Sequence, residues 1–241
     1  MKAIRATGLT KKYGSITAVD HIDFDVDQGE IFALLGVNGA GKTTTISMLT
    51  GLERPSSGDA YLLGRSVSAD MQHIKPRINL SPQETAVAAN LTVRENLEFI
   101  ASIYGQSNNE AKSNAKHMMQ EFELQQVASQ RAQTLSGGMQ RRLSIAMGLI
   151  TNPQILFLDE PTVGLDVFAR CDLWKVIEGL KGKVTMLLTT HYLEEVETLA
   201  DRIAIMVSGH IVASGTLDEL KKKSGKNTLE DAFITLTEGT R

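Results

Sequence analysis

The run Gly36-Val37-Asn38-Gly39-Ala40-Gly41-Lys42-Thr43-Thr44 constrains this chain more than any other stretch. It fits the pattern G-x-x-x-x-G-K-[ST] and lies between the apolar run Ile31–Leu35 and the segment Ile46-Ser47-Met48-Leu49, whose spacing suits a buried helix start. Strand, glycine loop and helix in that order are the context in which this pattern holds a phosphate. The glycines let the backbone bend with its N–H groups turned inward on an anion. The helix N-terminus adds the positive end of its dipole. Lys42 can then reach the β and γ phosphates of a nucleotide, and the Thr43 hydroxyl can ligate Mg²⁺. A glycine-rich turn is the plain alternative, but the fixed positions match by chance in roughly one chain of this length per hundred. The Gly-Lys pairs at 182–183 and 225–226 lack the rest of the pattern.

A chain of 241 residues suits one large α/β domain or a core with an inserted subdomain, and 42% hydrophobic content can fill that core. The net charge of −3 gives no global case for a nucleic-acid partner. A single cysteine, Cys171, excludes an internal disulfide framework and fits a reducing compartment. It sits in a helical pattern beside Leu173 and Trp174 and reads as a packing or surface residue. The segment Met1-Lys2-Ala3-Ile4-Arg5 has no apolar leader character, and no apolar run approaches a membrane span, so a soluble chain is expected.

The periodicity divides the chain. Ile22, Phe24 and Val26 alternate with His21, Asp23, Asp25 and Asp27, the pattern of a strand with one wet face in an antiparallel sheet. Ile31–Leu35, Ile155–Leu158 and Val184–Leu188 are continuous apolar runs separated by helical stretches, which predicts a parallel, doubly wound core. Residues 92–150 are helical in pattern almost throughout. Thr92-x-x-Glu95 is a capping box, a second helix runs near 110–122 and a third over 137–150. Strands near 202–207 and 210–214 follow, then a short helix capped by Thr216-x-x-Glu219, and Lys221–Lys226 reads as a solvated turn.

Asp159 and Glu160 end the apolar strand 155–158, at the strand edge where parallel sheets bind ligands. There Asp159 could hold a metal, and Glu160 could orient and deprotonate an attacking water. Leu135-Ser136-Gly137-Gly138-Met139 opens the third helix. Ser136 is a good N-cap, but a cap does not explain two glycines, which weaken a first helical turn. They make sense where another body, such as a phosphate, must approach the N–H groups closely.

With Leu-Ser-Gly-Gly placed before the Asp-Glu strand, the chain resembles the ATP-binding cassette (ABC) family over nearly its whole length. The resemblance implies an α/β fold: a P-loop NTPase core with a parallel sheet, an N-terminal antiparallel β subdomain and an inserted helical subdomain. It implies one domain, with residues 1–86 and 151–220 as the ATP-binding core, 87–150 as the helical insertion and 221–241 as a helical tail. Tyr13 matches the aromatic that stacks on adenine. Gly36, Val37, Asn38, Gly39, Ala40, Gly41, Lys42, Thr43 and Thr44 form the phosphate loop. Gln83 matches the glutamine that touches the Mg²⁺ site and senses a membrane partner. Gly164-Leu165-Asp166 matches the loop that crosses a dimer interface, and His191 matches the switch histidine that contacts the γ-phosphate. Thr43, Gln83 and Asp159 are then the metal residues, and Glu160, His191 and Gln83 the catalytic ones. Met139 stands where many members carry glutamine, and Val37 where a proline is common.

The resemblance further implies that two cassettes close head to tail around ATP. Each nucleotide is then held by Lys42 and Thr43 of one subunit and by Ser136, Gly137 and Gly138 of the other. The expected function is an ATP-hydrolysing motor for a separate integral membrane permease, at the cytoplasmic face of the plasma membrane, with ATP and Mg²⁺ as cofactors. A homodimer that depends on ATP is expected, and no nucleic acid. The segments 83–97 and 229–233 look like the bacterial drug-efflux and polysaccharide-export branch, which favours export. A soluble ABC ATPase of DNA maintenance or translation is the alternative, weakened by the lack of a coiled-coil insertion or a second cassette. A nucleotide kinase or GTPase switch is disfavoured by the Leu-Ser-Gly-Gly and Gln83 elements.

Overall fold

A computed structural model describes residues 1–238. In chain order the strands are β1 Lys2–Tyr13, β2 Ile16–Asp27, β3 Ile31–Leu35, β4 Ser57–Leu62, β5 Arg65–Ser66, β6 Ile78–Ser81, β7 Ile155–Asp159, β8 Thr185–Thr190, β9 Arg202–Val207 and β10 His210–Gly215. The α-helices are α1 Lys42–Leu49, α2 Met71–Ile74, α3 Val93–Ile103, α4 Asn108–Glu121, α5 Gly137–Leu149, α6 Val167–Glu178, α7 Leu193–Leu199, α8 Leu217–Ser224 and α9 Leu229–Thr237. Contacts group the chain into two compact units, one built from residues 1–75 with those from 181 onward, the other from 76–180.

In the first unit, β2, β1, β4 and β5 form an antiparallel sheet in that order. The alternation on β2 is realised: Ile22, Phe24 and Val26 are buried, whereas His21 and Asp23 are exposed. The second sheet of this unit centres on β3, whose residues are all buried. β3 pairs in parallel with β8 on one side and β9 on the other, and β10 adds antiparallel to β9. A strand buried on both faces needs no alternation, which is why Ile31–Leu35 reads as an unbroken apolar run. Phe24 of β2 stacks on Phe32 of β3 with ring centroids 5.6 Å apart. Arg202 of β9 lies over the same Phe32 ring and donates to Glu30 and Asp25. The Glu30 carboxylate holds the Arg202 guanidinium well above its usual pKa, and the Lys2 ammonium holds Asp25 below the usual carboxylate range.

The second unit pairs β6 with β7 in parallel, from Ile78↔Ile155 to Ser81↔Leu158, and adds α3 to α6. Its helices start on side-chain caps. Thr92 with Glu95 and Ser107 with Glu110 form reciprocal capping boxes, Ser136 accepts from Met139 N–H, and Asp166 accepts from Ala169 N–H. Each such cap satisfies one of the N–H groups that helix geometry leaves without an intrahelical acceptor.

Lys221–Ser224 are not a turn. They form the last turn of α8, and the chain breaks only at Gly225, which adopts φ 67. Lysines in a last turn face the negative end of the helix dipole, so a run that looks merely solvated is also a good helix ending. The expected tail at 221–241 is helical over 229–237, and its final three residues lie outside the described ones. Among the described residues no helix is long and apolar enough to cross a membrane.

Candidate functional site

The first unit carries the phosphate loop. β3, β8 and β9 end at one edge, with Leu35 in register with Thr190 and with Ile205. Gly36 leaves that edge and donates its N–H to Thr190 O at 3.2 Å. Each loop glycine has its own reason. A Cβ on Gly36 would sit 2.4 Å from the carbonyl oxygen of Met206 in β9, so no side chain fits there. Gly41 has φ +104, and its added Cβ would meet Ala18 O at 2.5 Å. Gly39 has φ +81 and open space around it, so only its backbone angle asks for glycine. Val37, Asn38 and Gly39 form an exposed crest, while Gly36 and Ala40 are buried at its base.

Lys42 begins α1 and is 4% exposed. Its Nζ donates to Gly36 O at 2.8 Å and to Val37 O at 3.2 Å, which folds the ammonium under the loop it follows. Thr43 is exposed at the helix start and Thr44 half-buried. The N-cap of α1 is Gly41, which supplies no side-chain hydrogen bond, and the first turn holds no acidic residue. Where α3, α4, α5 and α6 bring their own acceptor, α1 starts on glycine. That is the arrangement an external anion uses.

His191 follows β8 directly, one residue beyond the Thr190 carbonyl that fixes Gly36. His191 and the phosphate loop therefore share a strand edge within this unit. Its ring lies 4.2 Å from that of Tyr192, centroid to centroid. Tyr13 ends β1, 45% exposed, with Lys11 Nζ 4.8 Å from its ring centroid. The same hairpin meets the loop through Ala18 and Val19, both within 3.2 Å of the Cβ position of Gly41.

The second unit carries the carboxylates and the signature. Asp159 ends the buried strand β7, and Glu160 follows with φ 45, a left-handed backbone on a residue other than glycine. Both are buried, at 5% and 7% exposure. Gln83 is exposed just past β6. Ser136 and Gly137 are exposed at the start of α5. The two signature glycines differ. A Cβ on Gly137 would only graze Leu165 at 3.8 Å, whereas one on Gly138 would come 3.0 Å from Ala169 Cβ. Close packing of α6 thus accounts for part of the demand for glycine at 138, and Gly137 is the one left open to an outside body.

Arg141 is the residue that motif reading missed. It lies on α5, 3% exposed, and its guanidinium donates to Pro161 O at 2.7 Å, to Asp159 O at 2.9 Å, to Pro82 O at short range and to Gln83 O at 3.5 Å. The available signal was an arginine on the same helical stripe as Ser144 and Ile145, a face that the apolar spacing assigns to the interior. Asn96 was missed in the same way. Fully buried on α3, it accepts from Ala88 N–H and donates to the carbonyls of Ala88, Leu91 and Thr92, pinning the segment that follows Gln83.

Comparison with known proteins adds independent findings. The family model described as "ABC transporter" matches residues 19–163. The chain is 41% identical over 229 residues to the daunorubicin/doxorubicin resistance ATP-binding protein DrrA of Streptomyces peucetius, covering 95% of this chain and 69% of that one. It is 40% identical over 239 residues to the probable multidrug ABC transporter ATP-binding protein YbhF of Escherichia coli, covering 97% of this chain but 41% of that longer one. Among solved structures, the dimeric post-hydrolysis state of the ATP-binding cassette MJ0796 bound to ADP and Pi superposes with a TM-score of 0.79 at 25% identity, covering 89% of this chain and 98% of that one.

Proposed function

Because this chain belongs to the ABC transporter family of ATP-binding, ATP-hydrolysing proteins, we propose that it is the motor subunit of an exporter whose membrane-spanning part is a separate protein. The observation that carries the reading is the phosphate loop: a cradle set between close strands, a lysine folded beneath it, and a histidine leaving the neighbouring strand at the same edge. The relatives named for drug resistance support export of small molecules, and the dimeric cassette structure supports closure of two copies around nucleotide.

In this reading the triphosphate lies along the N–H groups of 36–41, with Lys42 leaving its loop carbonyls for the β and γ oxygens. Tyr13 offers its ring to the base. Glu160 orients and deprotonates the attacking water, and His191 contacts the γ-phosphate. Catalysis is then positional and electrostatic, as phosphoryl transfer to water requires. The Thr43 hydroxyl, the Gln83 amide oxygen and the buried Asp159 carboxylate are hard oxygen donors of the kind Mg²⁺ takes. When bound, that ion would offset charge on the phosphates. Ser136 and Gly137 of a second copy meet the γ-phosphate across the dimer. Loss of that phosphate on hydrolysis removes the contact and opens the pair.

Gln83 and the segment to Asn96 form the docking surface for the membrane protein, which places the chain at the cytoplasmic face of the plasma membrane. Purification of the tagged chain from detergent-solubilised membranes tests this. An integral membrane protein should co-purify and cross-link to cysteines placed between 83 and 96. Recovery of the chain with ribosomes or DNA instead would favour the soluble-ATPase alternative.

A further inference from the structure

The carbonyls that Arg141 collects come from two segments distant in sequence, and each adjoins a residue of the proposed site. The β6–β7 ladder ends at Ser81↔Leu158. One step further along, where strand pairing has stopped, Pro82 O and Asp159 O both accept from the guanidinium. Asp159 and Pro161, its other partners, flank Glu160 on either side. Glu160 itself sits at φ 45, a region that strains an L-residue and persists only where surrounding contacts over-determine it.

We propose that Arg141 is a positioning residue for ATP hydrolysis: by holding the carbonyls on both sides of Glu160, and the Pro82–Gln83 peptide with them, it fixes the direction of the Glu160 carboxylate and ties it to the segment that meets the membrane protein. A guanidinium suits the task because its planar fork presents five donors at fixed angles. Lysine has three donors on a flexible stem and cannot reproduce the fork. Because α5 also begins with Ser136 and Gly137, the clamp sits one turn behind the signature, so the signature helix, Gln83 and Glu160 are braced by one side chain. The inference rests on the reading of Glu160 as the residue that activates water.

The test measures steady-state hydrolysis and ATP binding for Arg141→Lys and Arg141→Met in the full chain, with rates normalised to nucleotide-binding-competent protein. A misdirected carboxylate should lower kcat about 10-fold in the lysine variant and up to about 10²-fold in the methionine variant. KM for ATP should change by less than about twofold in both, since the phosphate loop is untouched. In a Glu160→Gln background the same substitutions should cost less than about twofold further, because a residue acting through Glu160 has nothing left to orient. Wild-type kcat in both variants would overturn the proposal. So would a loss of rate matched by loss of binding-competent protein, or a full additional loss on top of Glu160→Gln. Should the methionine variant fail to fold, the lysine variant alone decides. If Glu160→Gln by itself hydrolyses ATP at a near-normal rate, the reading of Glu160 fails, which is distinct from an inert Arg141 beside an essential Glu160.

Discussion

The phosphate loop of the first unit and the end of β7 in the second both bend into the left-handed region, and they do it by opposite means. In the phosphate loop the bends fall on glycine, Gly39 at φ 81 and Gly41 at φ 104, where no Cβ resists them. Just past β7 the bend falls on Glu160 at φ 45, and the buried guanidinium of Arg141 on α5 braces the peptides on either side. A bend on glycine is cheap and local. A bend on glutamate is strained and needs outside support, but it places a carboxylate where a glycine could place nothing. Binding an anion needs backbone N–H groups and a cation around it. Activating water needs a side chain in a fixed direction.

The contrast sharpens first at the glycines. Gly36→Ala puts a methyl 2.4 Å from a strand carbonyl that cannot swing aside, an overpacking cost of about 1–3 kcal/mol. The loop must move to relieve it. ATP affinity should therefore fall together with the thermal midpoint, measured by calorimetric titration and melting of one sample. Gly39→Ala meets no neighbour and should cost only the backbone term of about 1–2 kcal/mol, with the loop keeping its shape. Equal effects of the two substitutions on ATP affinity would break the distinction between a glycine required for space and one required for angle.

How much could be read in the sequence follows from the same contrast. The phosphate loop was legible because its chemistry is contiguous: strand, glycines, Lys42 and Thr43 stand in one short run. The caps at Thr92 and Thr216 were legible too, since a capping box spans one turn. Arg141 was not, because its four acceptors lie in segments brought to it only by the fold. Nothing at 159–161 announces that a strand end will leave Glu160 in a left-handed turn. Gly138 was read as room for a phosphate, and its neighbour Ala169 became visible only with α6 packed in place. Lys221–Ser224 looked like a turn because helix endings and turns share a taste for lysine and glycine.

A smaller effect separates the capped helices of the second unit from the uncapped start of α1. Glu95 and Glu110 close the capping boxes and are held below the usual carboxylate range. The backbone N–H of Thr92 is the main cause for Glu95, and the Ser107 hydroxyl for Glu110. A carboxylate with a depressed folded pKa stabilises the fold above its ordinary value of 4.5, and that contribution is lost as pH falls below it. Glu110→Gln should therefore lower the urea midpoint slightly at pH 7, and the gap from wild type should narrow as pH falls below 4.5. A gap that stayed constant with pH would mean the charge plays no part in the cap.

The proposed division between a loop that binds ATP and a residue that activates water is tested most directly by measuring ATP affinity and turnover side by side in Lys42→Ala and Glu160→Gln. Removing the ammonium beneath the loop should weaken ATP binding itself. Glu160→Gln keeps the side chain's shape and loses its basicity, so ATP should bind at near wild-type affinity while turnover falls by a factor on the order of 10² or more. Near-normal turnover in Glu160→Gln, or wild-type affinity in Lys42→Ala, would contradict it.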